Sequence, residues 1–122
     1  MPRPAILVAE PEPSQALSVR KLVLETAKFN VLTAHSTGEA LDIFHLFPNL
    51  SAAVLVMSDA INCSDVAKKI KETTSKIPVI AVTSQIGNLC ERTDYHVSSM
   101  EPHELLELIR SLLGDPRKMN GA

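Results

Sequence analysis

Three short runs of almost entirely apolar residues constrain the fold of this chain more than any other feature. They are Ala5–Ala9, Ala52–Met57 and Ile77–Thr83. Apolar runs of this length without polar alternation predict strands that are buried on both faces. Strands of that kind occur almost only in parallel sheets with helices on both sides. The runs therefore predict an α/β fold.

The segments between these runs have the spacing of amphipathic helices, and two further short strands are predicted among them. The predicted helices are Pro13 to about Ala27, Ser36 up to Pro48, Ser64–Thr74 and Pro102–Leu113, and the additional strands are Phe29–Ala34 and Tyr95–Val97. Strands and helices that alternate along a chain build a parallel sheet through right-handed crossovers. The simplest such arrangement is a flavodoxin-like, five-stranded parallel sheet with helices on both faces.

The length of 122 residues suits one compact domain with a single well-buried core. We expect residues 5–114 to form that domain and residues 115–122 to be a C-terminal tail or linker. The fractions of apolar and charged residues are those of an ordinary globular protein.

The composition argues against several classes of partner. A net charge of −2, with one Tyr, three Phe and no Trp, provides neither a basic surface nor stacking platforms for nucleic acid. No apolar segment approaches the ~20 residues of a membrane span, and the N-terminal residues lack the pattern of a signal peptide. Cys63 and Cys90 have no metal-binding spacing, so they are interpreted as unpaired packing residues of a cytoplasmic protein in a reducing compartment.

Candidate site residues follow the predicted strands, because ligands of open parallel sheets bind beyond the carboxyl ends of the strands. The stretch after the first strand is acidic and proline-rich, with Glu10, Pro11 and Glu12 in sequence. Thr83 ends the fourth strand and Ser98 follows the fifth. Carboxylates in this position form either a metal and phosphoryl site or a solvated turn, and the neighbouring strand ends decide between the two.

Four stretches, in this order, resemble the receiver domain of bacterial two-component response regulators. They are ILVAEPEP (residues 6–13), STGEAL (36–41), IPVIAVTS (77–84) and DYHVSSMEPHELLELIRSLL (94–113), so the resemblance extends from Ile6 to Leu113. It implies a domain that accepts a phosphoryl group from a histidine kinase onto an aspartate, with Mg²⁺ bound by neighbouring acids. It also implies that the phosphorylated domain signals through its last helix and the adjacent segments.

The residues at the implied site depart from the family's pattern in three places. Glu10-Pro11 replaces the acidic pair, and proline has no side-chain oxygen to offer a metal. The position of the nucleophile falls at Met57 or one or two residues before it, all of them apolar. Ser98 stands where the family has a lysine. We therefore expect a degenerate acidic pocket at Glu10, Pro11 and Met57, without a metal.

Two positions keep the family's switch residues. Thr83 matches the switch hydroxyl, and Tyr95 matches the switch aromatic. Each also suits an ordinary structural role, since Thr is common in strands and Tyr packs through its ring. Only fifteen positions separate Thr83 from Ser98, which is too few for a complete crossover helix, so the fourth helix is expected to be shortened or absent.

Two functional hypotheses from different classes follow. The first is a degenerate receiver, neither an enzyme nor dependent on a cofactor, that acts without phosphorylation by binding a signalling protein or by self-association. The second is a working receiver that a histidine kinase phosphorylates on Asp59 in the presence of Mg²⁺. A third hypothesis, a small-ligand binder or enzyme on the same fold, lacks the glycine-rich loop that would cradle a phosphate after the first strand.

The last predicted helix has more apolar positions than one face requires. Leu106 and Leu113 fall on a flank of the helix, where we expect them to form an exposed patch for self-association or partner binding. The alternative is that the short segment between the fourth and fifth strands covers this flank and buries both side chains.

Overall fold

The computed structural model describes residues 4–10, 24–47, 49–56, 61–74, 76–83, 93–98 and 102–114. These residues contain five strands, three helices and, at residues 24–26, a short helical piece. The elements are β1 (Ala5–Ala9), β2 (Asn30–Ala34), α1 (Thr37–Leu46), β3 (Ala52–Val56), α2 (Cys63–Thr73), β4 (Val79–Thr83), β5 (Tyr95–Ser98) and α3 (Pro102–Leu113). Within the described ranges, no helix is long and apolar enough to cross a membrane.

The five strands form one parallel sheet in the order β2-β1-β3-β4-β5. The chain therefore starts near the middle of the sheet, builds outward to β2, and then crosses β1 to build the other half. This is the flavodoxin-like order, so the predicted fold class is confirmed. β2 and β5 are the two edges of the sheet.

Helices cover the sheet on both faces, which explains the continuous apolar runs. Side chains of successive strand residues point to opposite faces. Leu7 and Ala9 of β1 belong to a core cluster with α1 and α2, whereas Ile6 and Val8 belong to a second cluster with α3. Every residue of β3 is buried as well. A central strand in this fold has no solvent-facing side and therefore no polar alternation.

Side-chain caps and a left-handed glycine define the helix ends. Ser36 Oγ accepts a hydrogen bond from Glu39 N (3.1 Å), and Asn62 Oδ1 accepts one from Asp65 N (3.1 Å). α2 thus begins one residue before the predicted start at Ser64. After α3, Gly114 has a φ of 87°, a conformation that favours glycine and ends the helix where the sequence predicts.

The remaining predicted elements agree with the structure or lie beyond its described part. β4 begins at Val79 rather than Ile77, because Pro78 has no N–H for the ladder, although its carbonyl accepts from Ala53 N (3.0 Å). The predicted start of the first helix at Pro13 and the shortened fourth helix within residues 84–92 lie outside the described residues.

The exposed patch predicted on the last helix is wrong at Leu106. Leu106 is only 8% exposed and packs in the same core cluster as Leu105 and Ile109. Leu113 is half-buried against that cluster. Leu105, Leu106 and Ile109 are thus buried, whereas Leu108, Leu112 and Leu113 are partly buried against the same cluster.

The interpretation of Cys63 as an unpaired thiol is also wrong. Its side chain is buried among the core residues beside α1, as expected, but Cys63 is disulfide-bonded. The sequence contains one other cysteine, Cys90, which lies outside the described residues. The argument for a reducing compartment from unpaired cysteines therefore no longer holds.

Candidate functional site

The carboxyl ends of the strands meet at one edge of the sheet. The register places Ala9 beside Ala34 on one side and beside Leu55 on the other. One step further along the same ladder, Glu10 is level with Val56. This edge is where the sequence predicts the degenerate acidic pocket.

Glu10 is enclosed by protein rather than presented to solvent. It is 2% exposed, and it is the one buried charged side chain in the described part of the chain. Its N–H donates to Ala34 O (2.9 Å), and His35 Nδ1 lies 3.1 Å from its carbonyl oxygen. A carbonyl can only accept, so this contact requires the proton on Nδ1 of His35. Because Mg²⁺ keeps several of its waters in proteins, a carboxylate buried to this degree is a poor ligand for it.

The position level with Glu10 on β3 carries no acid. Val56 is 8% exposed and packs in the core cluster on the α3 side of the sheet. Pro11, Met57 and Asp59 lie outside the described residues, so their predicted roles remain predictions.

Polar side chains near this edge form helix caps and a bridge between two helices. Glu39 Oε1 accepts from His35 N (2.9 Å), and Thr37 Oγ1 accepts from Asn62 N (2.8 Å). The second bond joins the start of α1 to the residue that caps α2. Sequence reasoning missed Asn62, although an Asn three residues before Asp65 at the start of an amphipathic segment is a signal for an N-cap.

The switch-like residues are separated along the strands. Thr83 is paired with Ser98 at the carboxyl ends of β4 and β5. Tyr95 is paired with Ile80, three residues earlier, which is about 10 Å along the strand. The tyrosine is exposed. The register therefore brings Thr83 and Ser98 together but leaves the Tyr95 backbone at the opposite end of β5.

Within the described ranges, no group of three or more His, Cys, Asp or Glu side chains is placed to hold a metal ion. We expect Mg²⁺ to bind only in the high-millimolar range, if at all, since Glu10 is enclosed and the Val56 side chain has no oxygen. A Mg²⁺ titration followed by amide NMR shifts near Glu10 and Asp59 measures this affinity. Saturation below about a millimolar would contradict the degenerate pocket.

Proteins similar to this chain were found only among solved structures. No family model matches the chain, and no curated protein matches it. A response regulator receiver domain protein from Clostridium thermocellum is similar with a TM-score of 0.78 and 26% identity, over 95% of this chain and 98% of that chain. The response regulator protein TrrA from Thermotoga maritima, in complex with Mg²⁺-BeF, has a TM-score of 0.73 and 26% identity, over 90% and 99%.

A third solved structure is described as an atypical orphan response regulator with a phosphorylation-independent regulatory mechanism. It has a TM-score of 0.70 and 17% identity, over 89% of this chain and 94% of that chain, and so shows the fold alone. Together these structures support a signal-transduction receiver module. Strand order, register and these likenesses agree, so the resemblance found in the sequence is confirmed and the chain has the fold of response regulator receiver domains.

Proposed function

We propose that this chain is a degenerate receiver, a signalling module that acts by protein–protein interaction without being phosphorylated and without catalysing a reaction. The observation that carries the proposal is the pairing of an enclosed carboxylate, Glu10, with an apolar residue, Val56, at the edge of the sheet.

Aspartyl phosphorylation requires a carboxylate nucleophile, a divalent ion and positive charge near the transferring phosphoryl group. Glu10 is buried, and Val56 has no nucleophilic atom. Ser98, level with Thr83 on β5, is neutral where the family has a lysine. A neutral side chain does not offset the charge of about −2 that a phosphoryl group carries. Each of the three requirements is weakened at the same edge.

The known structures supply a precedent. The atypical orphan response regulator is described as having a phosphorylation-independent regulatory mechanism, so a protein with this fold regulates without the phosphoryl group. For this chain we propose a binding surface that stays permanently in one state, so that output depends on whether the partner is present.

Exposure to a small-molecule phosphodonor tests the proposal. With acetyl phosphate and Mg²⁺, we expect the intact mass of the protein to remain unchanged, because Glu10, the acid described at this edge, is buried and the described residues hold no metal-binding group around it. A phosphorylatable receiver domain treated in parallel shows that the reagents work. The alternative function, phosphorylation of Asp59 by a histidine kinase, predicts a gain of one phosphoryl group.

The Asp59→Ala variant identifies the acceptor if the mass does increase. A phosphoryl group that is gained by the wild type and absent from Asp59→Ala establishes the alternative and refutes the degenerate receiver. A gain that persists in Asp59→Ala places the acceptor elsewhere and also refutes it.

A further inference from the structure

The edge strand β2 exposes backbone hydrogen-bonding groups. Asn30 N donates to Pro4 O (3.0 Å) and Ala34 O accepts from Glu10 N (2.9 Å), so the even-numbered residues of β2 face β1. In a parallel ladder the alternate residues point the other way. The N–H and C=O groups of Val31 and Thr33 therefore face outward, and no strand in the described part of the chain pairs with them.

Among the residues that the structure describes, this edge lacks the features that usually protect an open strand. Proteins shield such edges with charged residues, prolines or covering elements. β2 has the sequence NVLTA, with neither a charge nor a proline, and Val31, Leu32 and Thr33 are all partly accessible. The edge is therefore a template for an additional strand.

One exposed apolar side chain, that of Phe47, lies beside the same edge. Leu46 is 70% exposed and Phe47 is 51% exposed at the end of α1. Phe47, Val31 and Leu32 line a shallow cleft of about 550 Å³ together with Glu25 and other residues near the start of β2. An added strand directs its side chains to alternate faces of the sheet, where they would meet Val31 on one face and Leu32 with Phe47 on the other.

In the described residues around β2, from 24 to 47, the exposed charges are mostly negative. Between residues 24 and 47 the exposed carboxylates are Glu25, Glu39 and Asp42, against one exposed ammonium, Lys28. Glu25 lines the cleft near the start of β2, and Glu39 lies beyond its end. Two copies paired antiparallel through β2 would bring Glu25 of one copy toward Glu39 of the other, which is unfavourable. A strand with a basic residue at each end matches the edge in either direction.

We propose that the β2 edge binds an extended segment of a partner protein that is apolar in its middle and basic at both ends. Binding adds a sixth strand to the sheet, with up to four main-chain hydrogen bonds at Val31 and Thr33 and apolar contacts at Phe47. This inference rests on the proposed function, because it names the kind of partner that the interaction module recognises. It requires no change at the carboxyl edge of the sheet.

A fluorescent peptide is the probe. Its core is an octapeptide of alternating valine and threonine, to which two lysines are added at each end. Its affinity is compared with that of the same core carrying two glutamates at each end. Anisotropy titrations of the unphosphorylated protein should give saturable binding of the lysine peptide and at least about tenfold weaker binding of the glutamate peptide. Higher salt should reduce this preference. In the double variant Glu25→Gln/Glu39→Gln, the ratio of the two peptide affinities should fall severalfold, and the domain should stay folded.

Proline variants test the backbone contacts with a matched control. Thr33→Pro removes an outward N–H and leaves the ladder with β1 intact, so it should weaken binding by about tenfold or more without unfolding the domain. His96→Pro removes an outward N–H at the opposite edge, because the register turns Tyr95 and Val97 toward β4, and it should leave binding unchanged. Far-ultraviolet circular dichroism checks the fold of both variants.

Three results overturn the proposal. The first is equal binding of the two peptides, and the second is binding that survives Thr33→Pro. The third is the absence of peptide binding. This includes the case in which the wild type forms a dimer that Thr33→Pro dissociates, because the occupant of the β2 edge is then a second copy of the chain. Failure of this proposal is distinguishable from failure of the proposed function, since only the latter is decided by the phosphodonor experiment.

Discussion

Replacing Leu106 with glutamate is expected to destabilise the domain by about 3–5 kcal/mol, a large share of the roughly 5–15 kcal/mol by which native domains are stable. Leu106 is 8% exposed and packs in the core cluster with Leu105 and Ile109. A glutamate there either carries an unpaired charge into the core or forces α3 away from the sheet. Urea denaturation followed by circular dichroism measures the loss.

The same substitution at Leu46 is the matched control. Leu46 is the most exposed large apolar side chain in the described residues, so Leu46→Glu should change the free energy of unfolding by no more than about 0.5 kcal/mol. Leu106→Met keeps the volume and should cost less than about 1.5 kcal/mol. A stable Leu106→Glu that alters self-association would reinstate the interface predicted from the sequence.

The sheet was predictable because its signal is local. A strand buried on both faces has to be apolar at every position, so AILVA and AAVLV identify β1 and β3 without knowledge of their neighbours. Helix ends were predictable for the same reason, since the Ser36 cap and Gly114 act within a turn of the helix. The order of the strands followed from the alternation of elements and from the handedness of crossovers.

The surface of α3 was not predictable, because coverage of a helix depends on every element that packs against it. The apolar arc that includes Leu105, Leu106 and Ile109 has the same appearance in sequence whether the whole arc or only part of it is covered. The disulfide at Cys63 is a similar case, since pairing of cysteines distant in sequence depends on how the chain folds.

The candidate site was partly predictable. The end of β1 gave the position of Glu10, and the strand ends placed Thr83 and Ser98 at the same edge of the sheet, although their pairing was not predicted. The burial of Glu10 was not predictable, because it depends on residues distant in sequence, including His35, whose ring contacts the Glu10 carbonyl. For the same reason, the exposed Phe47 beside an open strand was recognised only in the structure.

Removal of the Asp94 side chain is expected to cost about 2–3 kcal/mol. Asp94 Oδ2 accepts from Val79 N (2.8 Å) and also forms an ion pair with Lys71, whose Nζ donates to Ile77 O (2.8 Å). Val79 is fully buried, so Asp94→Ala leaves its N–H without this acceptor at the start of β4. Loss of this hydrogen bond accounts for the larger part of the expected destabilisation, because the ion pair is partly exposed and contributes less than about 1 kcal/mol.

Two variants separate these contributions in urea denaturation. Asp94→Asn keeps a side-chain oxygen for Val79 N and loses the charge, so it should cost no more than about 1 kcal/mol. Glu72→Ala breaks an exposed ion pair with Lys68 (4.0 Å) and should cost about 0.5 kcal/mol or less. If Asp94→Ala is no worse than Glu72→Ala, the bond to Val79 does not hold β4 and β5 together. If Asp94→Asn is as damaging as Asp94→Ala, the charge of Asp94 matters more than its acceptor oxygen.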